Sequence, residues 1–283
     1  MVGRKTMSLR LPPPGKMHTL KKEEKLATSP YISERYMASL AGASGMWAEM
    51  QSLLDHGVAH LSADGIRCLI IEKNILNKRT VANRKEAWKK LKKRYSISED
   101  NPAFTRFLSA YYAETSAYQR GLLGYLLLCT SDLTIRRLSR DWLAPRLAKS
   151  GIAMRTEDVE KYLIDLEKQV PELVEWTSMT RHHVCQHYLG AIRDFGLAEG
   201  RVVKRTTRPH VGSRVLVYAI QLAQLQGLKP LEVLQSDWIC VLGLDLDTTI
   251  TRMYQLNAEG LTKFRMSGNV AELSLRAELT EPE

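Results

Sequence analysis

Four cysteines and four phenylalanines in 283 residues leave little for several chemistries to work with. Cys68, Cys129, Cys185 and Cys240 stand singly at wide intervals, and no two share metal-ligand spacing. Each falls in an apolar helical context, so they read as small buried hydrophobes of a reducing cytoplasm. Long hydrophobic runs are missing as well. The longest, Gly121–Cys129, is far short of the ~20 residues a spanning helix needs. The opening is basic and proline-rich (Leu11-Pro12-Pro13-Pro14-Gly15) with no apolar stretch of the secretory type, and 1–30 reads as a basic flexible arm of a cytoplasmic protein.

Catalytic patterns are equally scarce. There is no Gly-rich phosphate loop ending in Lys-Ser/Thr, no dinucleotide-binding GxGxxG and no GxSxG elbow. The nearest approach is Arg181-His182-His183-Val184-Cys185-Gln186-His187. His183 and His187 lie at i, i+4, but Val184 stands where a zinc protease carries its glutamate, and no third ligand is evident. Histidines on an exposed helix face are the plainer reading. The expectation is no enzyme, metal, cofactor or small-molecule substrate.

What the chain has is positive charge, unevenly spread. Residues 1–30 carry +5, residues 73–94 carry +9 and residues 201–214 carry +5. The whole chain is +10, so the remainder is net −9. Three positive islands on a mildly acidic body focus a field toward one ligand. The strongest island, KNILNKRTVANRKEAWKKLKKR, holds ten Lys/Arg against Glu86 alone. With Thr80 as N-cap, the spacing predicts a helix that turns Val81, Trp88, Leu91 and Tyr95 inward and crowds Arg84, Lys85, Lys89, Lys92 and Lys93 around the rest. A solvated basic face is the bland alternative. A nearly unopposed charge sign over twenty-two residues favours a polyanion.

Helical signals dominate elsewhere. Leu40–Leu54 reads as a helix; Ser62 caps a second, which Asn77 breaks before the basic helix begins. Together these two form a helix-turn-helix pattern. Pro102 opens the next helix, and Ser116–Cys129 is apolar almost all round. Ser131 caps a long helix that Pro145 kinks. Thr156 and Ser178 cap two further helices, the second closed by Gly196 in a left-handed turn. Val202-Val203, a cationic tip at 204–209 and Val211–Val217 then read as a two-stranded hairpin. Helix, turn, helix and hairpin make a winged-helix layout, with Arg181, His182, Gln186 and Arg193 projecting from its second helix and Lys204, Arg205 and Arg208 reaching phosphates. At the C-terminus, Leu231–Val241 and Asp245–Leu256 read as helices before a hairpin around Ser267-Gly268-Asn269, in a unit poor in base and ending Glu278, Glu281, Glu283. Gly42-Ala43-Ser44-Gly45 and Gly121-Leu122-Leu123-Gly124 suit close helix packing and are not cofactor boxes.

Several stretches resemble the BrxA family of bacterial BREX phage-defence systems: Tyr36-Met37-Ala38-Ser39-Leu40-Ala41-Gly42, Glu72-Lys73-Asn74-Ile75-Leu76-Asn77-Lys78-Arg79-Thr80, Leu127-Leu128-Cys129, Trp176-Thr177-Ser178-Met179-Thr180-Arg181 and Leu189–Leu197. They run in order from about Tyr31 to Gly200. The resemblance implies a small, mostly helical, non-enzymatic protein encoded beside a methyltransferase, a phosphatase-like protein and an ATPase. It also implies a fold like winged helices and the NusB antitermination factor, and an association with double-stranded DNA. It lands on Asn74, Leu76, Arg79 and Thr80, and on Thr177, Thr180 and Arg181. The basic arm and the Arg-rich 201–214 are departures.

The expected fold class is therefore mainly α, with helix-turn-helix and winged-helix modules carrying short β-hairpin wings. The expected division is a 1–30 arm, a 31–150 helical domain, a 151–226 winged-helix-like domain and a 227–283 helix-hairpin unit. The expected function is duplex-DNA binding in BREX defence, mainly through phosphate, with other BREX proteins as further partners and no membrane. Contact residues would be Lys78, Arg79, Arg84, Lys85, Lys89, Lys92, Lys93, Arg181, His182, Gln186, Lys204, Arg205 and Arg208. An RNA-binding antitermination-like module and a scaffold docking acidic partner surfaces are the rival readings.

Overall fold

A computed structural model describes residues 29–276, so all but the last two residues of the 1–30 arm, and the terminal glutamates, lie outside the described residues. The chain is mainly helical with two small antiparallel sheets. Helices α1 (Trp47–Leu54), α2 (Ala63–Ile71), α3 (Val81–Arg94), α4 (Pro102–Ala113) and α5 (Ala117–Thr130) come first. Then α6 (Leu133–Arg137) passes through a π-helical turn, Leu138–Leu143, into α7 (Ala144–Leu147). Strand β1 (Ala153–Met154), α8 (Thr156–Glu167), α9 (Pro171–Val174), α10 (Ser178–Asp194), β2 (Ala198–Glu199) and β3 (Lys204–Thr206) follow. The last part is α11 (Ser213–Leu225), α12 (Pro230–Val233), α13 (Asp237–Cys240), α14 (Leu246–Ala258), β4 (Thr262–Ser267) and β5 (Val270–Leu275).

The elements start and stop where local chemistry directs. Ser62, Thr80, Asn101 and Ser116 accept from backbone N–H groups of the first turns of α2, α3, α4 and α5, relieving donors that no preceding carbonyl can reach. Between α2 and α3, Asn74 and Asn77 both take the left-handed conformation, at φ 53° and 50°, which asparagine tolerates better than most residues. Helix α10 ends at Gly196, φ 81°, with Leu197 N–H returning to the Ile192 carbonyl.

Other boundaries differ from the periodicity. The first helix begins at Trp47, because Met46 is left-handed and the 39–46 stretch turns instead. Asp132, Arg155 and Thr177, each one residue away from the expected cap, are the N-caps of α6, α8 and α10. The disturbance near Pro145 is a π turn, a wider register that accommodates the missing proline N–H upstream of the ring. Leu231–Val241 is split at Leu234–Ser236 into two short helices.

The largest correction concerns the hairpin. Val211–Val217 is no strand: from Ser213 it belongs to α11, thirteen residues long and buried on nearly every side. A β-branched run buried all round looks the same in a central strand and in a core helix, and length decides for the helix. Strand β3 pairs instead with β2 on one side and β1 on the other, giving the order β1-β3-β2. The turn is therefore Gly200–Val203, and Lys204 and Arg205 stand in the strand. The second sheet is a two-stranded hairpin, β4-β5, with Arg265 opposite Glu272 and Phe264 opposite Leu273.

One apolar core runs from Ile32 to Phe264, with α5 at its centre. Two of its glycines are there for clearance. A Cβ on Gly121 would sit 3.2 Å from the Phe195 carbonyl oxygen, and one on Gly124 would sit 2.2 Å from the Trp47 ring. Trp47 in turn packs on Phe195, Tyr111 and Tyr95. Gly124→Ala is therefore expected to force Trp47 from its seat and destabilise the protein by about 3 kcal/mol, the upper range for overpacking. A lowered Tm with reduced near-ultraviolet tryptophan ellipticity would register this. Cys129 and Cys185 are buried as expected, and burial pushes both thiols up to about 12. Cys68 is exposed and Cys240 half-buried, which corrects the expectation for those two.

Candidate nucleic-acid interface

The inward face of α3 is set by what it must cover. Ala87, Trp88, Leu91 and Arg94 are buried, and Tyr95 just beyond the helix is buried too. Val81, expected inward, is half exposed. Arg84, expected outward, lies half-buried with Nη1 donating to the Ile71 carbonyl at 3.0 Å, which ties α3 to the end of α2.

Arg94 is the residue the sequence hid. It is 2% exposed, and its guanidinium donates to the carbonyls of Ser39 at 3.0 Å and Ala43 at 2.8 Å. Its place three residues after Leu91 and six after Trp88 is the signal that could have found it. Burial holds its pKa below the ordinary arginine value, with the nearby Tyr95 and Glu49 opposing. The 39–46 segment it grips is held from other directions too. The Asp132 carboxylate accepts from the backbone N–H of Met37 and Ser39 and from the Ser39 hydroxyl, and Lys90 reaches the Gly42 carbonyl at 3.4 Å. His187 of α10 donates to the Leu40 carbonyl at 2.6 Å, and Gly190 lies against Ser44. This segment is the spacer on which α3 and α10 both rest.

Beyond Lys73, which is exposed just past the end of α2, the remaining cations of the first island divide cleanly. Lys78 pairs with Glu49 at 3.1 Å, and Lys90 with Glu86 at 3.4 Å. Arg79, Lys85, Lys89, Lys92 and Lys93 are exposed. Among the described residues none of these five has an ion-pair partner, although Lys92 leans over the Trp88 ring at 5.6 Å. Lys85, Lys89 and Lys93 form an i, i+4, i+8 ladder along about 12 Å of helix. Like charges at that spacing repel by about 0.2–0.5 kcal/mol per pair, so the ladder costs the fold rather than serving it. The helix C-terminal dipole offsets this for Lys92 and Lys93 alone.

On the second surface, α8 changes the electrostatics. It carries Glu157, Asp158, Glu160, Asp165 and Glu167 along the helix that packs against α10. Arg181 is drawn into an ion pair with Glu167, both largely buried, and His182 Nδ1 bonds the Glu160 carboxylate at 2.5 Å. Gln186 is exposed and looks into a cleft of about 410 Å³ that is bounded by Arg155, Glu157, Leu189 and the β2–β3 turn. Lys204 lines the same cleft and donates to the Arg201 carbonyl at 2.6 Å. Arg205 is exposed and reaches the Gly151 carbonyl at 2.9 Å, while Arg208 is exposed on the chain leaving β3. Arg193 is engaged by the neighbouring Asp194 at 2.6 Å.

Arg181→Ala should therefore act on the fold. The expected outcome is a loss of about 1–2 kcal/mol, between the values for exposed and buried pairs, with the salt dependence of nucleic-acid binding unchanged. Arg205→Ala should do the reverse, leaving Tm intact and reducing the salt slope by about 0.9. Melting curves and a salt series on the two variants check both.

Apart from the exposed Arg79, the polar motif residues carried by the resemblance turn out to be builders. The Asn74 side chain accepts from Lys78 N–H at 2.9 Å, Thr80 caps α3 and Thr177 caps α10. No group of three or more metal-ligating side chains occurs among the described residues, and none of their helices is long and apolar enough to cross a membrane.

These features define a mainly helical protein whose exposed cations concentrate on α3 and on residues 201–208. The BrxA family model matches residues 34–221, two thirds of the chain, and the protein belongs to the BrxA family. Membership associates it with BREX phage defence. No curated protein matches it.

Proposed function

We infer that this protein is a non-catalytic component of BREX defence that binds duplex DNA, chiefly through phosphates. The observation that carries the reading is the Lys85–Lys89–Lys93 ladder: exposed, without acidic partners among the described residues, and costly to the fold unless a polyanion is bound. Its length matches the rise of three to four base pairs, at ~3.4 Å per step.

The second surface supports the same reading in a winged-helix form. From Leu138 to Thr206 the order is helix, β1, α8, the one-turn α9, α10, β2, β3, in a sheet ordered β1-β3-β2. In that reading α10 is the second helix of the pair and Gly200–Val203 the wing turn, with Arg205 and Arg208 beside it as phosphate contacts. Arg181 and His182 belong to the internal α8–α10 contact, so the outward chemistry of α10 rests on Gln186. Amide hydrogen exchange with and without a short duplex tests the assignment. The reading expects added protection over 79–93 and 200–208 and none over α9 or the last turns of α8. Protection confined to other surfaces would refute it.

A further inference from the structure

We propose that Val202 is an apolar wedge that enters the minor groove of bound duplex and bends it, a step that rests on the duplex-binding reading above. Val202 is 93% exposed, the most exposed large hydrophobic residue described. It contributes no burial to the fold, yet the turn that carries it is fixed. Gly200 takes φ +93°, and a Cβ there would lie 2.3 Å from the Val203 carbonyl oxygen. Lys204 Nζ closes the turn from the other side by donating to the Arg201 carbonyl at 2.6 Å. A stiff β-branched side chain is thus held exposed at the rim of the cleft that the turn borders.

Its surroundings identify the occupant. Arg201, Arg205 and Arg208 are exposed around it, and residues 201–214 hold five cations and no acid. Beneath the turn, the cleft offers Arg155, Gln186 and Lys204 to a phosphate backbone, with Glu157 the acid on its wall. Cations that grip phosphates beside an apolar tip are what groove insertion requires: the tip unstacks a base step and the cations hold the bent duplex. The molecule carries its own control. Val270, at the turn of the β4–β5 hairpin, is 69% exposed but sits on a strand where Glu272 faces Arg265. Flexible pyrimidine–purine steps should therefore be bound better than stiff A-tracts.

The test is energy transfer between dyes at the two ends of a short duplex carrying a central TA step, measured at saturating full-length protein. Wild type should raise the transfer, as for a bend in the range of about 20–90°. Val202→Ala should return it most of the way to the free-duplex value while weakening binding about five- to tenfold. Val202→Leu should keep the bend, and Val270→Ala should behave as wild type. Wild-type binding with no change in transfer, or full bending by Val202→Ala, would overturn the wedge alone. Absence of wild-type binding to any duplex would overturn the duplex reading and the wedge with it.

Discussion

Replacing Lys85, Lys89 and Lys93 together with alanine is expected to weaken duplex binding about a hundredfold near 0.15 M salt. Each phosphate contact contributes about 0.9 to the slope of log affinity against log salt, so three lost contacts remove about 2.7. Referred to a 1 M standard, that slope is worth about two orders of magnitude at physiological ionic strength. The loss should be the same for every duplex sequence, because phosphates carry no sequence information. Stability should not fall, since the substitutions remove i, i+4 repulsion and insert the best helix former. Arg84 is a poor choice for such a variant, because its guanidinium is engaged by the Ile71 carbonyl and its loss would loosen α2 from α3. A fluorescence-polarisation salt series together with a melting curve measures both arms.

The second large effect is expected at Arg136, whose partners belong to neither cationic surface. Its side chain is 1% exposed, 2.8 Å from Glu34, 3.3 Å from Asp237 and 5.3 Å from the centre of the Trp238 ring. Arg140 holds the other Asp237 oxygen at 2.6 Å, and Gln226 joins Glu34 to Trp238 through its amide. Three distant stretches of chain, around residues 34, 136 and 226–238, thus meet on one guanidinium. The region past residue 221, outside the family match, meets the matched part here as well as through the shared apolar core. Arg136→Ala should cost about 3 kcal/mol, the low end for a broken buried pair, because Glu34 can regain water. For a chain of this size that is a fall of roughly 6–12 °C in Tm. Duplex affinity of the folded protein should be unchanged, which separates this role from that of the lysine ladder.

Much of the helical plan was legible because caps and breakers are local. Thr80, Pro102, Ser116 and Gly196 act within a few residues of themselves, and the structure uses them as their chemistry dictates. The exposed ladder of α3 was legible for the same reason, since a run of ten cations against one acid cannot be buried whole. What escaped was whatever depends on a distant partner. Arg94 and Arg136 were not singled out from the other cations, because what buries them is residues 39–43 and 237 folding against them. Arg181 read as a free contact until Glu167 claimed it. Strand β1, two residues long, carries no periodicity of its own and exists only because β3 needs a second partner. Val211–Val217 was ambiguous in principle, since burial on every side erases the difference between the two periodicities.

The most direct test of the central claim is a polarisation titration of the full chain with matched duplex DNA, single-stranded DNA and duplex RNA across a salt series. Duplex DNA should bind most tightly, with a steep linear fall of log affinity against log salt that Lys85→Ala, Lys89→Ala and Lys93→Ala together reduce by about 2.7. Equal indifference to all three nucleic acids at low salt would contradict the account and make the cationic surfaces docking sites for acidic proteins. A preference for duplex RNA would contradict it in favour of the antitermination-like reading.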